Sequence, residues 1–237
     1  MYDIHCHIIP GVDDGAGDYH EAKKMLQFAY NEGIHGLIAT PHYNSSFKDG
    51  DFELWEQSFK KLKKIARSVN KKFMVHQGAE IFYDSEVLKK LQTGAEITMA
   101  GSNYVLLEFP YDISFKYLEM YLINVMDSGF NPIIAHMERY VALHDLDCVE
   151  SIKRQEVLLQ VNTSTIVSGS FSKRRRMLKL IEDGYIDAIG SDAHNVTSRP
   201  ANWAACIDYL NKKVGYGVVE RLTTEVYEKI IKEKRAK

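Results

Sequence analysis

Residues 1–15 read MYDIHCHIIPGVDDG. The apolar run Tyr2–Ile4 is too short for a helix and ends in two imidazoles, His5 and His7, separated by Cys6. In an extended strand positions i and i+2 project to the same face, so His5 and His7 share one side and Cys6 points to the other as a packing thiol. Asp13 and Asp14 follow before the first helical spacing begins at Asp18, so two imidazoles and two carboxylates able to bind a cation stand between the strand and that helix. Residues 1–15 therefore read as a strand with polar chemistry gathered at its C-terminal end.

The same arrangement recurs along the chain. Further apolar runs at Gly36–Ala39, Phe73–Gly78, Tyr104–Leu107, Pro132–Ala135, Val157–Val161 and Ile186–Ile189 bring the total to seven. Between most of them lie segments of helical period, such as Asp18–Asn31, Phe52–Asn70, Ser114–Asp127 and Ser172–Glu182, several closed by Gly33, Gly129 or Gly184. Strands apolar on both faces alternating with helices predict a parallel sheet covered by helices, an α/β fold. No linker composition divides the chain, so residues 1–237 are expected to form a single domain. An open doubly wound sheet satisfies the same alternation, but the polar residues favour a seven-stranded barrel. His42 ends run two, Glu80 run three, Glu108 run four, His136 run five, Asn162 run six, and Asp192 with His194 run seven. In a parallel barrel those ends converge on one face, where such folds hold their chemistry.

Composition narrows the classes. The chain is 45% hydrophobic, and its 30 basic against 32 acidic residues give a net charge of −2. No global field therefore draws it to nucleic acid or an anionic membrane. No signal-like N-terminus or long apolar stretch is present, which predicts a cytoplasmic location without membrane insertion. Cys6, Cys148 and Cys206 are too few and scattered for a disulfide framework.

Five of the nine histidines, His5, His7, His42, His136 and His194, stand at these strand ends. Together with Glu80, Glu108 and Asp192 they would be costly to desolvate unless cations sat among them. Mixed imidazole and carboxylate donors suit zinc, manganese or iron better than magnesium or calcium alone.

The motifs DIHCHIIPGVDDG, TPHY, GAEI, LLEFP, AHMERY and GSDAHN together resemble the PHP (polymerase and histidinol phosphatase) superfamily over nearly the whole chain. More narrowly, VDDG after the HxH, HMERY and SDAHNVTSRP look like the CpsB/CapC/YwqE group of bacterial protein-tyrosine phosphatases. The resemblance implies a distorted (β/α)7 TIM-like barrel with three divalent metal ions, manganese foremost and iron, zinc or magnesium as alternatives. It assigns His5, His7, Glu80 and Asp192 to one ion, Glu80, Glu108 and His136 to a second with Glu80 bridging, and Asp14, His42 and His194 to a third. Asp14, immediately before Gly15, matches the family pattern better than Asp13, whose alternative role is to orient a histidine. Arg139 and Arg199 fall in loops after site strands, and the resemblance gives both a phosphate-binding role in catalysis.

The reaction so implied is hydrolysis of phosphotyrosine by a metal-bridging hydroxide. Its expected substrate is a bacterial tyrosine autokinase that controls capsule or exopolysaccharide synthesis, and homo-oligomerisation is a family-level expectation. Two alternatives remain: a small-molecule phosphatase such as a histidinol-phosphatase, and a non-catalytic metal-binding scaffold. A nuclease role, known in the superfamily, lacks an aromatic-interleaved basic groove. The Cys148-x5-Arg154 spacing of thiol phosphatases lacks a glycine and falls in a predicted amphipathic helix with Val149 and Ile152 inward, so it is rejected. The basic runs KKLKKIAR (60–67) and SKRRRMLK (172–179) read first as solvated helix faces and second as docking surfaces.

Overall fold

A computed structural model describes residues 1–93 and 97–233. Residues 94–96 and 234–237 of the expected 1–237 domain lie outside them. The strands are β1 (Tyr2–Cys6), β2 (Gly36–Ala39), β3 (His42–Tyr43), β4 (Met74–Gln77), β5 (Glu80–Phe82), β6 (Tyr104–Glu108), β7 (Asn131–Ile134), β8 (Leu158–Asn162) and β9 (Ala188–Gly190). The α-helices are α1 (Tyr19–Asn31), α2 (Asp49–Val69), α3 (Ser85–Gln92), α4 (Phe115–Asp127), α5 (Leu146–Arg154), α6 (Thr163–Ser168), α7 (Phe171–Glu182), α8 (Trp203–Val214) and α9 (Tyr216–Lys232).

Local chemistry starts these helices where the sequence expects them. Asp18 caps α1 by accepting from His20 N and Glu21 N, both at 2.8 Å. Ala22, Met25, Leu26 and Ala29, at helical spacing, form its buried stripe.

Every strand pairing is parallel, in the orders β1-β2-β4 and β3-β5-β6-β7-β8-β9. Nine strands among the described residues replace the seven runs because pairing resumes beyond two of them, in β3 after the run Gly36–Ala39 and in β5 after the run Phe73–Gly78. Pro41 separates β2 from β3, and Gly78-Ala79 separate β4 from β5. The chain carries each run across its break with hydrogen bonds still in place, Gly78 N donating to Ala39 O at 2.9 Å and Glu80 N to Pro41 O at 3.0 Å. The result is a curled parallel sheet. Its curl brings the end of β9 to the end of β1, where Asp192 N donates to His5 O at 2.8 Å and His7 N to Ala193 O at 2.9 Å.

Apolar side chains fill both faces of the curl. The larger cluster lies between sheet and helices. The smaller one, with Ile4, Ile38, Leu106 and Ile133 from the strands, is closed by Val226, Tyr227 and Ile230 of α9. Tyr2 stacks on Tyr227 with ring centroids 3.9 Å apart. No helix of the described residues is long and apolar enough to cross a membrane.

The junction of β1 with β9 rests on Asp3, which the sequence reading did not single out. It is 2% exposed and accepts from His5 N (3.1 Å), Ser191 N (3.0 Å) and Trp203 Nε1 (3.1 Å). Burial raises its pKa, and these donors counter part of that rise. Asp3→Ala would leave three buried donors unpaired, so its urea midpoint is expected to fall by the equivalent of about 3 kcal/mol or more. Asp3→Asn, which keeps an acceptor, is expected to lose less.

Candidate metal centre

The site forms at the C-terminal ends of the strands. On β1 and just beyond it, His5 and His7 face the same way with their Nε2 atoms 3.3 Å apart. Their opposite nitrogens are held: His5 Nδ1 lies 3.1 Å from Gln160 Oε1, and His7 Nδ1 lies 2.7 Å from Asp13 Oδ2. A proton on each Nδ1 leaves both Nε2 lone pairs directed into the site.

The loop after β1 separates the two aspartates. Gly15 lies against His7 so closely that a Cβ would fall 2.1 Å from His7 O, which turns the chain back over the site. Asp13 then accepts from His7 Nδ1, His42 N and Gly15 N, so both its oxygens are engaged in positioning. Asp14 points the other way, with Oδ1 3.2 Å from His194 Nε2 and 3.4 Å from His42 Nε2.

Glu80 occupies the centre. Its Oε2 lies 3.3 Å from His5 Nε2, 3.1 Å from His7 Nε2 and 3.1 Å from His42 Nδ1, yet hydrogen-bonds to none of them. Its Oε1 meets His136 Nε2 at 2.6 Å, and Glu108 Oε1 lies 3.4 Å from the same nitrogen. Asp192 Oδ1 stands 3.7 Å from His5 Nε2 and 3.4 Å from His7 Nε2. All nine expected donors thus come together. Three sets have their donor atoms within 4.8 Å of one another: His5, His7, Glu80 and Asp192; His7, Asp14, His42 and His194; and His42, Glu80 and Glu108. The first is the expected quartet. His7 joins the expected Asp14 set, and His42 stands with Glu80 and Glu108, where His136 Nε2 also lies, 2.6 Å from Glu80 Oε1 and 3.4 Å from Glu108 Oε1.

These spacings fit metal ions better than they fit one another. Two donors about 2.1 Å from one ion lie about 3.0 Å apart in octahedral and about 3.4 Å apart in tetrahedral coordination, close to the separations here. Glu80 Oε2 and His194 Nε2 are buried without hydrogen-bond partners, which is costly unless an ion completes them. The chemistry of the set agrees, since Asp14, Glu80, Glu108 and Asp192 supply four carboxylates beside five imidazoles.

Without a cation, protons take over part of the compensation. Burial alone would lower the His7 imidazole, but the hydrogen bond to Asp13 and the close carboxylates of Asp192 and Glu80 more than offset it and hold it well above its ordinary value. His5 is raised too, the charges of Glu80 and Asp192 outweighing its burial. Glu80 is driven well down despite its burial by His5, His136 and His42. Glu108 moves up through burial and the nearby Glu80 charge. Burial and the charge of His7 push His194 down to about 4.

Residues missed from the sequence hold the donors in place. Gln160 Oε1 accepts from His136 N at 2.8 Å as well as facing His5 Nδ1, and Gln160 Nε2 donates to Asn162 Oδ1 at 2.8 Å. Asn162 Nδ2 passes the chain on to Asp192 Oδ2 at 2.8 Å. The signal for Gln160 was a polar side chain inside the apolar run LLQVN, two residues before Asn162 and therefore on its face. His136 and Asp192 adopt left-handed backbone, with φ 33° and 53°, a conformation costing about 1–3 kcal/mol each for non-glycine residues and typical of functional positions.

Arg139 and Arg199 both reach Asp192. An Arg139 Nη donates to its Oδ2, while an Arg199 Nη lies 3.1 Å from its Oδ1 and the other 3.5 Å from Asp14 Oδ2. Cys148 lies in α5 with Val149 and Ile152 buried, as expected, and burial and neighbouring acids raise its thiol. That is the wrong direction for a nucleophile.

A curled parallel α/β sheet with clustered imidazoles and carboxylates at its C-terminal edge defines the class of metal-dependent hydrolases on barrel-like folds. The chain belongs to the CpsB/CapC family of capsular polysaccharide synthesis, which matches residues 1–232. It is 29% identical to the tyrosine-protein phosphatase CpsB of Streptococcus pneumoniae over 98% of both chains. It is 31% identical to the tyrosine-protein phosphatase YwqE of Bacillus subtilis (strain 168) over 94% of this chain and 89% of that one. A crystal structure from work on B. subtilis YwqE and S. pneumoniae CpsB, described as unique metal-dependent tyrosine phosphatases, superposes with a TM-score of 0.85. It is 29% identical and covers 100% of this chain and 96% of that one.

Two outcomes follow from the donor geometry. Asp13→Ala removes the acceptor that fixes the His7 ring while leaving the donor set intact, so manganese affinity measured by chelator competition should fall about 10- to 100-fold. Because His5 and His7 hold protons above their ordinary pKa, metal must displace those protons. Affinity should therefore rise with pH through the raised imidazole pKa, and calorimetry in buffers of different ionisation enthalpy should record proton release.

Proposed function

We propose that this chain is a metal-dependent protein-tyrosine phosphatase, cytoplasmic, acting on a phosphorylated bacterial tyrosine kinase of capsule or exopolysaccharide synthesis. We further read its two sheets as one distorted seven-stranded barrel, with residues 1–237 as a single phosphoesterase domain. The observation that carries the reading is the convergence of nine donors, Glu80 at their centre, with two guanidiniums at their edge. The names of the CpsB and YwqE relatives support the substrate class.

In this reading His5, His7, Glu80 and Asp192 hold one ion, Glu80, Glu108 and His136 a second with His42 alongside, and Asp14, His42 and His194 a third. Manganese is the first choice, with iron, zinc or magnesium as alternatives. Divalent ions in such a site acidify water and neutralise phosphate oxygens. The protein supplies everything else. Glu80 belongs to two donor sets and fixes their spacing, while Asp13 and Gln160 hold the His7 and His5 rings. Arg139 and Arg199, now sharing Asp192, offer planar forks that a phosphate dianion can take up. A tyrosinate leaving group, with pKa about 10, needs little protonation, and no thiol takes part.

The mouth of the site supports a polypeptide substrate over a small enclosed one. Side chains of Asp14, Arg139 and Arg199 are 61%, 42% and 41% exposed. Tyr111 and Val141, joined by a hydrogen bond from Val141 N to Tyr111 O at 3.1 Å, stand open beside them.

Turnover of phosphotyrosyl peptide, phosphoseryl peptide, histidinol phosphate and oligonucleotide by manganese-loaded protein tests the reading. Phosphotyrosyl peptide should lead, and preference for histidinol phosphate would sink it. His136→Ala should lose metal and turnover together. Arg199→Ala should keep its metal and raise KM about 30-fold, the worth of one charge-assisted hydrogen bond to phosphate.

A further inference from the structure

The basic run 172–179 does not face solvent evenly. It lines a groove of about 480 Å³ between α7 and the segment after Arg139, with Phe171 and Leu146 as apolar walls and Arg175, Arg176, Lys179 and His144 around them. Phe171 is 82% exposed and Leu146 45%, large apolar surfaces that a monomer rarely leaves open beside one another. The one acidic lining residue, Asp183, is already bonded to Lys179 Nζ at 2.7 Å. Arg176 donates to Leu143 O, which anchors its guanidinium on the groove wall. His144 is lowered by its partial burial and then by the charges of Arg176 and Lys173, so positive charge in the groove is not neutralised from within.

The groove also lies on the side of the site. Leu143 and His144 belong to the short helical turn that follows Arg139, and Phe171 follows α6, which begins at the C-terminal end of β8. His144 is five residues from Arg139, so at most about 18 Å of extended chain separates them. The exposed Val141 and Tyr111 lie along that path.

We propose that this groove is a substrate-docking subsite for an acidic polypeptide segment with an embedded apolar side chain, lying within about five residues of the phosphotyrosine held at the metal centre. The proposal rests on the phosphotyrosine reading above. The carboxylates pair with Arg175 and Arg176, and the apolar residue lies between Phe171 and Leu146. A lipid surface is a poorer match for a concave groove. The other basic run, 60–67, sits on α2 against α1, whereas α7 packs against α6 and α8.

The test compares wild-type protein with Phe171→Ser and Arg175→Glu, both at exposed positions outside the metal centre. Substrates are a phosphotyrosyl dodecapeptide with Glu and Leu flanks, the same peptide with Gln in place of Glu, and p-nitrophenyl phosphate. Wild type should show a KM about tenfold lower for the acidic peptide, and both variants should erase that difference while leaving kcat and p-nitrophenyl phosphate turnover unchanged. Equal KM for the two peptides in wild type, or equal loss on p-nitrophenyl phosphate in the variants, overturns the proposal. Fluorescence anisotropy with the unphosphorylated acidic peptide separates the two readings. If it binds wild type and not Arg175→Glu, the groove stands even where phosphotyrosine turnover fails. If Arg175→Glu instead loses only binding to phosphatidylglycerol vesicles, or only self-association by light scattering, the groove belongs to a lipid surface or a second copy and the proposal falls.

Discussion

Glu80 Oε2 is a buried carboxylate oxygen surrounded by three imidazole nitrogens at 3.1–3.3 Å, with no hydrogen bond to any of them. An ionised carboxylate out of water needs compensation, and so do the carboxylates beside it. Protons on His5 and His7 give part of that compensation, and divalent ions would give it more completely. Other features of the site follow from this constraint. The strands end together, so the donors come from six different strand ends. The rings are held from behind, so that their lone pairs point inward.

Holding them takes long-range structure. Gln160 ties His5 on β1 to the backbone of His136 after β7, and Asn162 extends the tie to Asp192 after β9. Asp3 links the same ends through Ser191 and Trp203. The left-handed backbone at His136 and Asp192 is sustained because these bonds over-determine it. The curl of the sheet and the geometry of the site are therefore stabilised by the same polar network, and a change at one is felt at the other.

Barrel-like α/β folds host many chemistries, so the sheet by itself does not identify a reaction. What narrows it here is the combination of mixed nitrogen and oxygen donors, two guanidiniums at the edge and an open rim. Cys148 shows the contrast. Its spacing to Arg154 is that of a thiol phosphatase, but a helix engages the backbone amides that such a site would need, and acidic neighbours hold its thiol up.

From the sequence alone came the seven apolar runs, the parallel α/β class and eight of the nine candidate donors, because strand alternation and strand-end position are local properties. Pro41 and the Gly78-Ala79 step were visible too, but that a second short strand follows each of these two runs depends on how each segment pairs. Three things needed the tertiary structure. Asp13 and Asp14 are adjacent and chemically alike, and only the turn that presses Gly15 against His7 decides which faces the site. His42 lies between two donor sets because β3 pairs with β5. Gln160 serves His5 across 155 residues of chain, a partnership set by the curl of the sheet and by no local pattern.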